Sequence, residues 1–208
     1  MSPLMNIKIE KYQKIAQDKY RIILATGEVL ELWAQVILNN DLLLKKELSP
    51  DLYQKVVADN LIYSGYYSSL KFISYRVRSK KEIINHLTKK EEYNEYLDQI
   101  IELLIKNNQI DDEIFAKAYI NDKIKLTSWG PYKIKVELKK HNISDQLINK
   151  YLNLSEDLVY EKALKIAQKL QNTNSNLDKY KLKNKIYNNL FRLGYEFDII
   201  SKVLNDIL

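Results

Sequence analysis

Three segments of this sequence repeat one apolar spacing, and that repetition restricts the fold more than any other feature. Leu87, Leu138 and Leu190 each follow an isoleucine by one helical turn, at Ile83, Ile134 and Ile186. After Leu138 come Ile143, Leu147, Ile148 and Leu152; at the same offsets after Leu190 come Tyr195, Ile199, Ile200 and Leu204. The second and third units match without a gap, and the first matches once an insertion around Lys90 to Tyr96 is allowed. Steps of three and four residues line up on one face of a helix. Each unit therefore reads as a three-helix module, with modules beginning near Ser64, Asp111 and Ser155. A unit this short buries little core alone, so neighbouring modules must stack or share interfaces.

Local signals agree with that periodicity. The chain has only four glycines and three prolines, which suits helices better than turn-rich β folds. Ser49-Pro50-Asp51 places a cap before a proline at the first helical position, opening a helix to about Ile62. Ser64-Gly65 is expected to bend or break it before a second helix to Tyr75. Ser79 and Glu82 form a capping box worth about 1 kcal/mol, since each side chain satisfies an amide of the first turn. A helix from Glu92 to Asn107 is expected to bury Leu97, Ile100, Ile101 and Leu104. Asp111 caps the next, with an expected stripe of Ile114, Phe115, Ala118 and Tyr119. Gly130-Pro131, Ser144 and Ser155 open three more. The last pair covers Leu177 to Leu193 and Phe197 to Leu208, separated by Gly194 in a left-handed C-terminal turn.

The first forty residues read differently. Tyr20 to Ala25 and Glu28 to Trp33 are β-prone runs around Thr26-Gly27, and Ile7 and Ile9 alternate with polar residues as a further strand does. The expected fold class is mainly α: three tandem three-helix modules in an elongated array behind a small N-terminal β-meander. The boundaries are a β-rich segment 1–48, then helical repeats 49–108, 109–154 and 155–208.

Composition excludes several functions. Without cysteine there is no disulfide, thiolate metal site or cysteine nucleophile, and a reducing cytoplasm is the expected compartment. The stretch from Met1 to Lys8 lacks the apolar run of a signal peptide, and Glu28 and Glu31 interrupt the most apolar region, Ile22 to Leu38. No membrane association is therefore expected. No phosphate-cradling loop, dinucleotide fingerprint or nucleophile elbow is present. Asp111 and Asp112 fit a cap and a dipole partner better than a catalytic pair. His86 and His141 have no companions at ligand spacing, and Phe115, Tyr119 and Trp129 read as core or module-junction residues. The reading is a monomer with no enzymatic activity and no cofactor or metal. The net charge of +6 points to polyanions or acidic protein surfaces as partners.

Three ordered motifs carry a family likeness. Tyr75, Arg76, Arg78, Ser79, Glu82, Ile83 and Leu87 form the first; Ile110, Asp111, Asp112, Phe115, Ala116 and Tyr119 the second; Gly130, Pro131, Lys133, Ile134, Leu138 and Ile143 the third. In order and spacing they resemble the RecX family of recombination regulators. With Gly194-Tyr195 the likeness covers residues 70 to 205. Departures are lysine where the family often has arginine, the insertion in the first repeat, and no glycine before the third helix of repeats one and two. Lysine keeps the charge but loses the bidentate fork. The resemblance implies a modulator that lies in the groove of the RecA–DNA filament, bridges protomers and lowers ATP hydrolysis, strand exchange and coprotease activity.

Under that reading the filament-binding basic face comprises Arg76, Arg78, Lys80, Lys81, Lys117, Lys123, Lys125, Lys133, Lys135, Lys139 and Lys140. The stretch Lys117 to His141 carries seven lysines against Asp122 and Glu137, a local excess of +5. These side chains would engage the RecA filament or the phosphates of single- or double-stranded DNA. For Arg76 and Arg78 the competing reading is packing of their stems or pairing with nearby acids. For the lysines it is an ordinary solvated face. The competing function is non-specific DNA binding independent of RecA.

Overall fold

The computed structural model describes residues 5–208; Met1 to Leu4, part of the stretch read against a signal peptide, lie outside them. The chain divides into two compact units, one ending at Ile110 and the other running from Asp111 to Leu208.

The first unit opens with a curled sheet. Its strands are β1 (Ile7–Ala16), β2 (Lys19–Leu24), β3 (Val29–Trp33) and the two-residue β4 (Glu47–Leu48). They run antiparallel in the order β3-β2-β1-β4. The expected turn forms at Gly27, whose φ of +84° is the left-handed conformation that glycine adopts without strain. Ile7, Ile9, Ile22, Leu24 and Leu32 project to the buried face. A short helix that the β-prone reading passes over, α1 (Ala34–Asn39), adds Val36 and Ile37 to that core.

The next helix corrects an expectation. Ser64-Gly65 does not break the chain: α2 runs unbroken from Pro50 to Ile73. Its first half places Leu52, Tyr53 and Val56 against the sheet. Its second half places Ile62, Tyr66, Leu70 and Ile73 against the first module, α3 (Lys80–Leu87) and α4 (Leu97–Lys106). Gly65 is required by the crossing and not by a turn. A Cβ there would lie 2.4 Å from Ile100 Cδ1, so α2 and α4 approach at the place where a side chain is missing. The repeat-one insertion is a 3-10 turn over Glu91–Tyr96; it buries Tyr93, whose hydroxyl lies 3.2 Å from Ser64 Oγ. The helix expected from Glu92 therefore becomes α-helical only at Leu97, and Leu97 is half-buried rather than buried.

The second unit holds α5 (Asp112–Leu126), α6 (Pro131–Lys140), α7 (Asp145–Tyr151), α8 (Glu156–Thr173), α9 (Lys179–Leu193) and α10 (Phe197–Ile207). The caps form as their residue types predict. Asp111 accepts from the amides of Glu113 (2.7 Å) and Ile114 (3.3 Å), Ser144 from Leu147 (3.3 Å) and Ser155 from Leu158 (3.4 Å). The repeated positions are core positions: Ile83, Leu87, Ile134, Leu138, Ile186 and Leu190 are all fully buried. On α5 the stripe sits one residue away from the expected one. Phe115, Ala116 and Ile120 are buried, whereas Ile114 is 57% exposed and Ala118 only half-buried. Where the glycine before the third helix is missing, Asn142 takes its place with φ +60°, matching Gly194 at +84°. Asparagine tolerates this region better than most residues.

Modules two and three meet through two glycines. The Gly130 amide donates to the Leu193 carbonyl (2.7 Å), and the Tyr132 amide donates to the Gly194 carbonyl (3.2 Å). A Cβ on Gly130 would lie 2.4 Å from Gly194 O, and one on Gly194 would lie 2.5 Å from the Lys133 nitrogen. In the same unit the half-buried Lys162 of α8 donates to the carbonyl of Ile124, supplying a cation to the C-terminal end of α5.

Candidate functional site

The structure separates the basic residues into those tied to acids and those turned outward. Arg76 and Arg78 both converge on Glu82, the capping-box acid. Arg78 is the more enclosed, its side chain 15% exposed against 51% for Arg76. Its guanidinium lies 3.9 Å from the centre of the Phe72 ring, and His86 stacks on Phe72 at 4.3 Å with the planes 5° apart. Burial, and then the charge of Lys89, hold the His86 imidazole below its usual value of 6.5. The arginine pair thus supports the α2–α3 corner. Lys80 and Lys81 follow it in the first turn of α3, Lys80 exposed and Lys81 half-buried. In the second unit Lys139 pairs with Asp145 (3.0 Å) and Lys140 with Glu137 (2.7 Å).

Among the described residues, Lys117, Lys123, Lys125, Lys133 and Lys135 make no ion pair. Two of them converge although they lie on different helices. Lys123 Nζ, near the end of α5, and Lys133 Nζ, in the first turn of α6, each sit 4.6 Å from the centre of the Trp129 ring. Lys123 Nζ is also 5.0 Å from the Tyr119 ring centre. An aromatic face attracts ammonium groups at these distances and restricts the stems that carry them. The bend that brings the helices together is fixed locally: the Thr127 hydroxyl donates to Lys123 O (2.7 Å), and the Trp129 amide donates to Thr127 Oγ1 (3.2 Å). Trp129 and Tyr119 pack against the module core, as expected of them.

On α5 and α7, a depression of about 670 Å³ is lined by Ile114, Lys117, Asn121, Ile124 and Tyr151. At Glu113, on the first turn of α5, the carboxylate accepts from Lys150 Nζ (2.5 Å) and the Tyr151 hydroxyl. Those two bonds, with Lys150's charge, hold the Glu113 carboxyl below its usual range.

Sequence periodicity passed over a second basic element. Helix α9 carries Lys179, Lys181, Lys183, Lys185 and Arg192 and no acid. Lys181 pairs with its own N-cap Asp178 (3.3 Å), and Lys185 donates to Asn174. Lys179 and Lys183 make no ion pair among the described residues. Tyr180 and Phe191 are 74% and 62% exposed, and Tyr187 lies parallel to Phe191 with ring centres 6.1 Å apart. The signal available in the sequence was five cations and three aromatics within one helix lacking acids.

Among the described residues no helix is long and apolar enough to cross a membrane, and no group of histidines and carboxylates could hold a metal ion. The family profile described as "RecX, second three-helix domain" matches residues 111–152, and the one described as "RecX, third three-helix domain" matches 156–204. The regulatory protein RecX of Bacillus pumilus is 31% identical over 195 residues, covering 93% of this chain and 74% of that protein. Its counterpart from Clostridium beijerinckii is 28% identical over 211 residues, covering 100% of this chain and 97% of that protein. A crystal structure of regulatory protein RecX has the same fold, with a TM-score of 0.82 at 22% identity over 96% of this chain and 99% of that one. The crystal structure of RecX from Lactobacillus salivarius matches with a TM-score of 0.65 at 30% identity, covering 72% of this chain and 97% of that one. From motifs, module architecture and relatives together, the chain belongs to the RecX family of regulatory proteins.

Proposed function

We propose that this protein binds the RecA–DNA filament and lowers its ATP hydrolysis, strand exchange and coprotease activity. The observation that carries the reading is the set of five lysines on α5 and α6 that make no ion pair among the described residues, two of them held against Trp129. Cations fixed on a helical scaffold suit a partner of acidic protein surface and phosphate, because no internal pair must break before they engage. Arg76 and Arg78 enter this reading as supports of the α2–α3 corner, since both are engaged by Glu82.

The test is RecA's DNA-dependent ATP hydrolysis with this protein titrated in below the RecA concentration. Inhibition at substoichiometric amounts is expected, weakened by Lys133→Glu and by Lys125→Glu. No effect up to equimolar protein would refute the proposal.

A further inference from the structure

The third module presents a surface that the lysines of α5 and α6 do not explain. With 3.6 residues per turn, Tyr180, Asn184, Tyr187 and Phe191 lie within about 60° of one another around α9. Lys183 borders this stripe on one side, Asn188 and Arg192 on the other. Leu182, Ile186 and Leu190 form the buried arc, and Lys179, at the helix start, shares its direction. From Tyr180 to Phe191 the stripe runs about 16 Å along the axis.

We infer that this face of α9 is a contact surface for single-stranded nucleic acid, with bases stacking on Tyr180 and Phe191 and phosphates held by Lys183 and Arg192. Two features of the helix select that partner. Its charge is of one sign, which a polyanion complements, and its exposed groups include flat rings, which a phosphate chain alone leaves unused. In duplex DNA the base faces are covered by their neighbours, so the rings would gain nothing there. An acidic protein surface would engage the lysines but offers no ladder of π faces. A single strand supplies both kinds of group at once, and base–aromatic stacking is tolerant of sequence.

The inference concerns this protein and nucleic acid alone and does not need RecA. The measurement is fluorescence anisotropy of a labelled oligothymidylate of about 20 nucleotides, long enough for one such site. It is titrated with the full chain over a salt series. Tyr180→Ala with Phe191→Ala is expected to weaken binding roughly 5- to 150-fold per stacked base, with the salt slope unchanged. Lys183→Glu with Arg192→Glu is expected to flatten the slope by about 1.4, at about 0.7 per phosphate contact on a single strand. Tyr180→Phe keeps the ring and should bind as the parent does. All four positions are solvent-facing, and far-UV circular dichroism with a thermal melt confirms that each variant is folded. The inference is overturned if the parent does not bind, if the double alanine variant binds as tightly as the parent, or if a duplex of equal length binds more tightly. ATPase inhibition that persists in an α9 variant with lost oligothymidylate binding leaves the RecA reading standing; lost inhibition with intact binding removes only that reading.

Discussion

Replacing Gly130 by alanine tests whether modules two and three are joined as tightly as their backbones imply. The backbone at Gly130 has φ −81°, ordinary for any residue, so conformational strain plays no part. What the methyl group meets is backbone: Gly194 O at 2.4 Å, Gly194 C at 2.6 Å and Tyr195 N at 2.8 Å. None of these atoms can swing aside as a side-chain end does, so the α6 start and the α9–α10 turn must separate. Separation stretches the bonds Gly130 N–Leu193 O and Tyr132 N–Gly194 O. Two weakened bonds at about 0.5–1.5 kcal/mol each, with overpacking at about 1–3 kcal/mol, predict a loss of about 2–6 kcal/mol. Urea unfolding measures it, and hydrogen exchange at the Gly130 and Tyr132 amides localises it. Gly194→Ala adds the cost of a left-handed alanine, about 1–2 kcal/mol. Because both variants open one contact, the double variant should lose less than the two singles together, by about 1 kcal/mol or more. A Gly130→Ala protein within about 0.5 kcal/mol of the parent, or strict additivity of the pair, would refute the reasoning.

Three further outcomes follow from the structure. Arg78→Ala should destabilise the first unit by about 1–2 kcal/mol through lost stacking on Phe72 and lost Glu82 contact, whereas Arg76→Ala, whose exposed pair is screened by water, should cost about 0–1 kcal/mol; equal losses in denaturant titrations would contradict the assignment. The depressed Glu113 carboxyl contributes stability that is present above the unfolded glutamate value of 4.5 and lost as pH falls through its folded value. The stability–pH curves of the parent and Glu113→Gln should therefore differ near neutrality and converge in acid, and parallel curves would count against the Lys150 and Tyr151 bonds. In a proton NMR titration His86 should lose its proton below 6.5, because burial beside Phe72 disfavours the imidazolium; a midpoint above 6.5 would mean that the ring is solvated or acid-paired.

Helix starts were legible because their causes are local. Ser79, Asp111, Ser144 and Ser155 each cap with their own side chain, and no distant residue is needed for the bond. Gly65 is illegible for the opposite reason: a residue 35 positions away, Ile100, packs where a Cβ would stand, and the helix continues so that this neighbour fits against it. Helix propensity alone disfavours that position by about 1 kcal/mol, and packing on two cores outweighs it. Ile114 looked like core because it sits in phase with Phe115 and Ala118, yet the buried arc of α5 is centred on Phe115, Ala116 and Ile120. At the site, the lysine-rich stretch was readable but its division was not. Whether a lysine pairs with an acid depends on which helix face it shares, and the meeting of Lys123 with Lys133 on Trp129 depends on the bend at Thr127. The α9 surface hid behind its spacing. Lys179, Lys181, Lys183 and Lys185 alternate with a period of two, which on a helix scatters them, and the stripe emerges only when the rings are placed between them.

The length of α2 limits how this chain can be taken apart or enlarged. One helix supplies Leu52, Tyr53 and Val56 to the sheet's core and Ile62, Tyr66 and Leu70 to that of the first module. A cut at the sheet's edge would leave an apolar half-helix in water, a surface that recruits other chains instead of folding. The second and third modules have no such debt to a foreign layer, since each buries its stripe within its own three helices. Gene duplication can therefore copy a module from the C-terminal side and append it, whereas copying the N-terminal module means carrying the sheet along with it.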